Sequence, residues 1–326
     1  MARIGDADIA QSPTLSTFSI VAYDPTNAQW GVGVQSKFPA VGAIVPWARA
    51  GAGVVATQGR GNVAFGPLGL EMLSKGMGAE ETLDRLLSGD AGRDERQVGL
   101  IDAHGTPAVF TGVACQKWAG SLTGAHYAVQ GNILVSGATV EAMADAFERS
   151  DGELSHRLVT ALSAGQRAGG DRRGRQAAAL LVVGKEGVYG GDDDRCVDLR
   201  VDDAPRPIER LRELLELHSL VFQRPSADDW VAVQGQIGRQ FQSILRRAGR
   251  YEGPITGDAD SYTLHALSAL MAAENMAGRF RESQGLIDRR AAAFLLERLG
   301  PKVRHGGDQE DDVATAPPGA CRAGGG

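Results

Sequence analysis

A threonine stands at the head of a short strand-like run near the start of the chain. Thr17 begins the run 17–22, a turn follows at 24–27, and a second strand-like run covers 30–36. Where the peptide bond before such a threonine is cut, its hydroxyl can act as a nucleophile. Its own α-amino group can then act as the general base, because that amine titrates near pH ~8. The alternative is that Thr17 is an ordinary β-branched strand residue.

Two amide-bearing residues at strand ends can assist the same chemistry. Gln58 ends a predicted strand, where its backbone N–H or that of Gly59 can donate to an oxyanion. Asn132 follows Gly131 at a kink and can bond a substrate amide. The alternatives are a plain strand-to-loop junction at Gln58 and a turn asparagine at Asn132.

A charged loop bounded by glycines precedes a predicted buried strand at 177–183. Within it, Asp171 can orient a terminal amine, and Arg172, together with Arg175, can bind a substrate carboxylate. The alternative is that Asp171 and an arginine form a structural ion pair that fixes the loop. Both interpretations stay open at this point.

Other chemistries lack the residues they need. The six histidines show neither H-x-x-x-H nor H-E-x-x-H spacing, so no metal site is predicted. The acidic run 192–194 is typical of a solvated turn, with cation binding as the alternative. Neither a G-x-G-x-x-G motif between strand and helix nor a Walker A motif occurs, so no cofactor is predicted.

The composition limits which cellular compartment and which binding partners are expected. The formal net charge of −6 argues against nucleic acid as a partner, and the sequence has no run of 18 apolar residues to span a membrane. Three scattered cysteines indicate reduced thiols and a cytoplasmic protein. Residues 1–16 lack the apolar region of a signal peptide. A homo-oligomer is left open.

Hydrophobic periodicity alternates between strands and pairs of helices over residues 17–201. Strands are predicted at 17–22, 30–36, 42–50, 53–58, 96–102, 107–111, 127–134, 177–183, 188–190 and 196–201, with helices around 68–73, 79–87, 140–147 and 154–162. The order along the chain is strands, two helices, strands, two helices and strands. This order predicts two stacked sheets with helices outside each. This is an α+β, four-layer αββα sandwich rather than a parallel sheet.

A second, all-α domain is predicted over 206–298, after the proline-rich segment 202–207. Its helices are expected at 208–221, 230–245, 262–275 and 283–296, with Asp260 or Ser261 as the cap of the third. Residues 300–326 are rich in Gly, Ala, Asp and Pro and are expected to be a disordered tail.

Several motifs in residues 17–201 resemble a bacterial family of unknown function grouped with the N-terminal-nucleophile (Ntn) hydrolases, whose fold is like a proteasome subunit. They are 17–22, 36–38, 40–42, 45–48, 56–58, 129–132 and 169–176. The resemblance implies a fold more firmly than a reaction. Proteasome-like members carry a lysine at a spacing similar to that of Arg49 from Thr17, which lowers the pKa of the nucleophile. Arg49 can supply charge but no proton shuttle, and Lys37 is the other cationic candidate.

Typical members begin at the equivalent of Thr17, whereas 16 residues precede it here. The extension 1–16 is either removed by attack of Thr17 on the Ser16 carbonyl, or an added segment, or it is retained. In the last case the α-amino base is missing.

Residues 251–267 are similar to a peptidoglycan-binding-like domain often fused to this family. The leading hypothesis is an Ntn-type hydrolase that acts on a small amide or peptide-like substrate through Thr17. The rival is a catalytically silent scaffold whose C-terminal domain binds a partner or a peptidoglycan fragment.

Overall fold

The computed structural model describes residues 17–189 and 193–300. The expected extension 1–16 lies outside the described residues, as does all of the expected tail 300–326 except Gly300. The chain divides into two compact units, Met1–Gln223 and Arg224–Gly326. None of the helices within the described ranges is long and apolar enough to cross a membrane.

Ten strands and five helices of the first unit are described. The strands are β1 (Thr17–Asp24), β2 (Gln29–Ser36), β3 (Pro46–Arg49), β4 (Gly53–Gly59), β5 (Arg96–Ile101), β6 (Pro107–Thr111), β7 (Gly120–Gly124), β8 (Tyr127–Asn132), β9 (Ala177–Val183) and β10 (Arg195–Val201). The helices are α1 (Phe65–Ser74), α2 (Ala79–Ser88), α3 (Ala138–Arg149), α4 (Leu154–Arg167) and α5 (Pro207–Phe222).

The strands form two antiparallel sheets. One sheet has six strands in the order β10-β9-β2-β1-β8-β7, and the other has four in the order β3-β4-β5-β6. Strand β1 lies inside the larger sheet, paired with β2 on one side and β8 on the other. The mixed α and β character predicted from the sequence is confirmed.

Alternate residues of each strand face different apolar clusters. In β1, Phe18 and Ile20 pack with α3 and α4, whereas Val21 packs with Val54 and Ala56 of the other sheet. The outer face of the four-stranded sheet packs against α1 and α2. This alternation follows from the two-residue period of a strand that is buried on both faces.

Helix α4 packs closely on β2 because two glycines lie beneath it. A Cβ at Gly31 would stand 2.6 Å from Leu158 Cδ1, and one at Gly33 would stand 3.2 Å from Leu162 Cδ1. Larger side chains at these positions would push the helix off the sheet.

Three local expectations in the first unit differ from the structure. The run 42–50 is not one strand, because a 3₁₀ turn at Val41–Ala43 precedes the four-residue β3. Val188 is not in a strand, and Gly190 lies outside the described residues. Strand β7 was not predicted, since its sequence, Gly-Ser-Leu-Thr-Gly, carries little apolar alternation.

Helix α5 belongs to the first unit, so the units divide after Gln223 rather than near 202–207. Its residues Ile208, Leu211 and Leu215 share an apolar cluster with Val197 of β10 and Leu158 of α4. The apolar face that predicted a separate helical domain is therefore the face that packs on the larger sheet.

The second unit contains the helices α6 (Gly235–Arg247), α7 (Ser261–Ala273) and α8 (Arg289–Leu299). Helical content was expected, and Asp260 caps α7 by accepting a hydrogen bond from Thr263 N at 2.7 Å. A small sheet beside them was not predicted. It consists of β11 (Trp230–Ala232), β13 (Leu286–Asp288) and β12 (Phe280–Arg281), in that order.

The helices expected at 230–245 and 283–296 therefore begin later, at Gly235 and Arg289. Side-chain contacts hold the preceding residues in the sheet. Arg279 and Asp288 form a buried ion pair at 3.1 Å, and the Arg281 guanidinium lies 3.9 Å from the centre of the Trp230 ring. The helical periodicity of the sequence gives no information about these contacts.

Candidate functional site

Thr17 lies where three strands of the larger sheet meet. In the strand register it is opposite Ser36 of β2 on one side and Asn132 of β8 on the other. Its Oγ1 donates a hydrogen bond to Ser36 Oγ at 3.2 Å, and both side chains are fully buried. The hydroxyl predicted to be chemically important is therefore fixed at the end of an interior strand.

Thr17 is part of a polar cluster between the two sheets. We call it the inter-sheet polar cluster; its members are Thr17, Ser19, Ser36, Gln58, Gln97, Gln130 and Asn132. Each is at most 1% exposed. Because buried polar groups are costly without partners, hydrogen bonds must hold the cluster together.

Gln97 of β5 is the centre of these hydrogen bonds. Its Oε1 accepts from Gln58 Nε2 at 2.8 Å and from Asn132 Nδ2 at 3.0 Å. Its Nε2 donates to the Gly131 carbonyl at 2.9 Å and to Thr111 Oγ1 at 3.0 Å. One side chain of the smaller sheet thus positions β8, which flanks Thr17.

Gln58 connects the smaller sheet to Thr17 itself. Its Oε1 accepts a hydrogen bond from Ser19 Oγ at 2.7 Å, and its Nε2 donates to the Thr17 carbonyl at 3.2 Å. The sequence predicted a role for a backbone N–H at this position. In the structure the Gln58 side chain contacts β1, including the backbone of Thr17.

Asp171 lies beside the cluster and fastens two chain segments. Its carboxylate accepts a hydrogen bond from Lys37 N at 2.9 Å and another from Arg173 N at 2.9 Å. The Arg173 guanidinium also pairs with it at 3.4 Å, and the Asp171 side chain is wholly buried. This is the structural ion pair that the sequence left open, and it fixes the end of β2 next to Ser36.

The two cationic candidates differ in position. Lys37 directly follows Ser36, but its side chain is exposed, and its backbone makes the contact with Asp171. Arg49 pairs with Gly53, at the opposite end of β4 from Gln58. Five residues of strand separate these ends, about 16 Å, so Arg49 does not join the Thr17 site.

The two arginines predicted to bind substrate follow Asp171 in the same loop. Arg172 has an exposed side chain, and its backbone N–H donates to the Ile133 carbonyl at 3.1 Å. Arg175 pairs with Glu209 of α5 at 3.3 Å. The structure thus brings Asn132, Gln58 and Asp171 to the Thr17 end of the sheet, and it pairs the Arg175 guanidinium with a carboxylate of α5.

A strained residue follows Asn132. Ile133 has a φ of 52°, in the left-handed region, although it is β-branched and buried. Such a conformation costs about 1–3 kcal/mol and is often found at functional sites. It turns the chain at the end of β8, where Ile133 N donates to the Gln116 carbonyl.

Sequence reasoning did not single out Ser19, Ser36, Gln97 or Gln130 as site residues. Their signal was a polar residue at every second position of an otherwise apolar strand, as in Thr17 and Ser19. That pattern is typical of a solvated face, and only the opposing sheet shows that the face is buried. Among the described residues, no group of three or more His, Cys, Asp or Glu side chains is placed to hold a metal ion.

The first unit thus consists of two face-to-face antiparallel sheets with a buried polar cluster at one end. A family model described as a family of unknown function, DUF1028, matches residues 17–211. The match covers more than half of the sequence, and the chain belongs to this family. The predicted resemblance to a family of unknown function is confirmed.

Further comparisons agree with this assignment. The crystal structure of a Silicibacter pomeroyi protein of the same family is 31% identical, with a TM-score of 0.58. The alignment covers 69% of this chain and 89% of that one. A model described as "Putative peptidoglycan binding domain" matches residues 221–295. A comparison with curated proteins found no match.

Proposed function

We propose that the first unit is an Ntn-type hydrolase that cleaves a small amide or peptide-like substrate through Thr17. The observation that carries the proposal is the position of the Thr17 hydroxyl. It lies at the head of an interior strand, hydrogen-bonded to Ser36, while Gln58 holds the Thr17 carbonyl from the opposite sheet. Such fixed geometry is what a nucleophile requires.

The proposal includes the four-layer αββα arrangement of the Ntn fold. In support, α3 and α4 pack on the outer face of the larger sheet, and α1 and α2 pack on the outer face of the smaller one. The inner faces of the two sheets share the apolar cluster of Val34, Val54 and Ala56.

The proposed reaction has two steps. The Thr17 amine takes the proton from Oγ1, which attacks the amide carbonyl, and the amine of the substrate leaves with that proton. The acyl group is now an ester of Thr17, and a water activated by the same amine hydrolyses it. The hydroxyl and the amine are regenerated.

This chemistry requires a free amine on Thr17, so the proposal includes removal of residues 1–16. Thr17 is fully buried in the intact chain. A nucleophile has to be accessible to its substrate. Attack of its Oγ1 on the Ser16 carbonyl would give an ester, and hydrolysis of that ester would leave a mature chain that begins at Thr17.

The neighbouring groups have distinct proposed roles. Ser36 orients the Thr17 hydroxyl, Asn132 offers an amide across the strand for the substrate, and Asp171 holds the backbone of Lys37 beside them. Arg49 has no role in this mechanism, because it lies at the far end of β4.

The experiment measures amine release from a panel of small amides and short peptides by purified variants. Thr17→Ala should abolish release, and Thr17→Ser should retain part of it, because serine keeps both the hydroxyl and the amine. Thr123→Ala is the matched control, since Thr123 is an exposed threonine of β7 in the same sheet. Undiminished hydrolysis by Thr17→Ala would refute the proposal.

A second candidate is a catalytically silent scaffold that binds a peptidoglycan fragment through its C-terminal unit. Two observations favour it: the family match of residues 221–295 and the complete burial of Thr17. A cavity of about 240 Å³ on α6 is lined by Arg239 and Arg247, which can bind the carboxylates of peptide stems.

The test of this candidate is cosedimentation of the full chain with insoluble peptidoglycan. Arg239→Gln should reduce the bound fraction, whereas Arg246→Gln, an exposed position of α6 that does not line the cavity, should not. Equal binding by both variants would exclude this surface.

A further inference from the structure

A cavity in the first unit is lined by several arginines. It has a volume of about 430 Å³ and lies between the last turn of α4, the loop before β9 and the first turn of α5. Among the described residues, Arg167 of α4, Arg175 of the loop and Arg212 of α5 line it, and Glu209 is the only carboxylate in that lining. Three guanidinium groups and one carboxylate leave two positive charges in excess.

This excess is notable in a chain whose formal net charge is −6. Arg175 pairs with Glu209 at 3.3 Å. Over the described ranges 17–189 and 193–300, neither Arg167 nor Arg212 forms an ion pair. Like charges gathered around one cavity repel each other unless an anion lies between them.

Arg212 is already oriented by the protein. Its Nη2 donates to Ser163 Oγ at 2.6 Å, and that hydroxyl in turn donates to the Val159 carbonyl at 2.8 Å. The Ser163 hydroxyl proton is therefore engaged with the Val159 carbonyl. The Ser163 oxygen accepts the hydrogen bond from the Arg212 guanidinium. A side chain fixed in this way loses less conformational entropy when it binds a ligand.

The first turn of α5 adds to the positive potential. Ile208 and Glu209 line the cavity, and Pro207 begins the helix, so the partial positive charge of the helix terminus lies at the same place. The cavity is larger than a phosphate group requires and has the size of a site for a small organic molecule.

We propose that this cavity is a binding site for a small organic dianion, bound through Arg167, Arg175 and Arg212. The ligand chemistry is a pair of negative charges on oxygen, supplied either by two carboxylates or by one phosphate monoester. Arginine binds both groups through two parallel N–H donors. The site faces the helical side of the larger sheet and is distinct from the inter-sheet polar cluster.

The experiment is calorimetric titration of the full chain at fixed ionic strength, with chloride as the balancing anion. The probes are glutarate and glycerol 2-phosphate, with the neutral compounds glutaramide and glycerol as matched controls. We expect at least one dianion to bind and neither neutral compound to bind. The tighter dianion identifies the source of the charge. Binding of neither dianion beyond the chloride background would overturn the proposal.

Substitutions of the lining arginines test where the dianion binds. Arg167→Gln and Arg212→Gln should each weaken it about tenfold, since each removes a charge-assisted hydrogen bond. Arg167 makes no ion pair with any residue that the structure describes, so its variant should fold normally even if Arg212→Gln is less stable. Arg210→Gln is the control, because Arg210 is exposed on α5 and pairs with Glu213 outside the cavity.

For Glu209→Gln we expect the opposite effect on the affinity for the dianion. Removing this carboxylate releases Arg175 and raises the excess positive charge, so the dianion should bind several-fold more tightly. Weaker binding by Glu209→Gln, or an equal loss in Arg210→Gln and Arg167→Gln, would contradict the assignment of the site.

Discussion

Thr17 and Ser36 lie opposite each other at the ends of β1 and β2, with their hydroxyl oxygens 3.2 Å apart and both side chains fully buried. Two hydroxyls in this position gain little for stability, since a typical hydrogen bond contributes about 1 kcal/mol. Their burial among amide side chains from both sheets fixes the Thr17 hydroxyl in one place.

Gln97→Leu should lower the free energy of unfolding by about 3 kcal/mol. The change removes the acceptor that Gln58 Nε2 and Asn132 Nδ2 share, and the loss of each of these buried hydrogen bonds costs about 1–3 kcal/mol. Urea unfolding followed by circular dichroism measures it. Gln116→Leu is the control at an exposed position, with an expected change of at most about 0.5 kcal/mol. Equal changes in the two variants would contradict the central role of Gln97.

Asp171→Asn should cost about 2 kcal/mol in stability and should also reduce any hydrolytic activity. Asparagine keeps the size of the side chain but loses the charge that faces Arg173, and its NH₂ group cannot accept from Lys37 N. Thermal unfolding and amine release are measured on the same preparation. Asp151→Asn, an exposed aspartate, should change neither. If Asp171→Asn unfolds at the temperature of the wild type, the proposed fastening of β2 is wrong.

The ion pair of Asp90 and Arg96 should make stability depend on pH. The hydrogen bond from the Arg96 guanidinium, at 2.6 Å, holds the pKa of Asp90 below its ordinary value, and both side chains are mostly buried. A folded-state pKa below the unfolded one gives stabilisation that is complete above the unfolded value of about 4. That stabilisation is lost as the pH falls through the folded-state pKa.

Asp90→Asn should therefore be about 2 kcal/mol less stable than the wild type at pH 7, with a difference that narrows as the pH falls below about 4. Urea unfolding at each pH measures the difference. A constant difference over that range would show that the charge of Asp90 is not the cause.

Asp260→Ala should destabilise the second unit by about 1 kcal/mol. Its carboxylate accepts a hydrogen bond from Thr263 N at 2.7 Å at the first turn of α7. Asp258→Ala, two residues earlier and outside the cap, is the control. The measurement is thermal unfolding of the full chain, with hydrogen exchange at Thr263 as a local readout. Unchanged exchange at Thr263 would count against the cap.

The sequence predicted most of the first unit because its strands carry strong local signals. Residues 53–58 and 177–183 are short apolar runs ended by turn residues, and both are strands in the structure. Strand β7 has no such signal, and it is held by its pairing with β8. The division of the units was expected too early, because the apolar face of α5 looks the same whether it packs in its own domain or on a sheet.

The candidate site could be predicted only in part. Thr17 and Asn132 were named from their places at strand ends, and the register brings them together. The role of Gln97 depends on a partner 34 residues away in the other sheet, at Gly131, which no local pattern contains. Arg49 was named from its spacing alone, and spacing does not tell which end of a strand a residue occupies.

The N-terminal residue of the purified full-length chain tests the central claim most directly. Intact-mass spectrometry should show that the wild-type chain loses residues 1–16 and begins at Thr17, with the amine and hydroxyl on the same residue. The Thr17→Ala chain should keep Met1, because the attacking oxygen is gone, while the Thr123→Ala control should be processed like the wild type. A wild-type chain that keeps Met1, or a Thr17→Ala chain processed as fully as the wild type, would contradict the account.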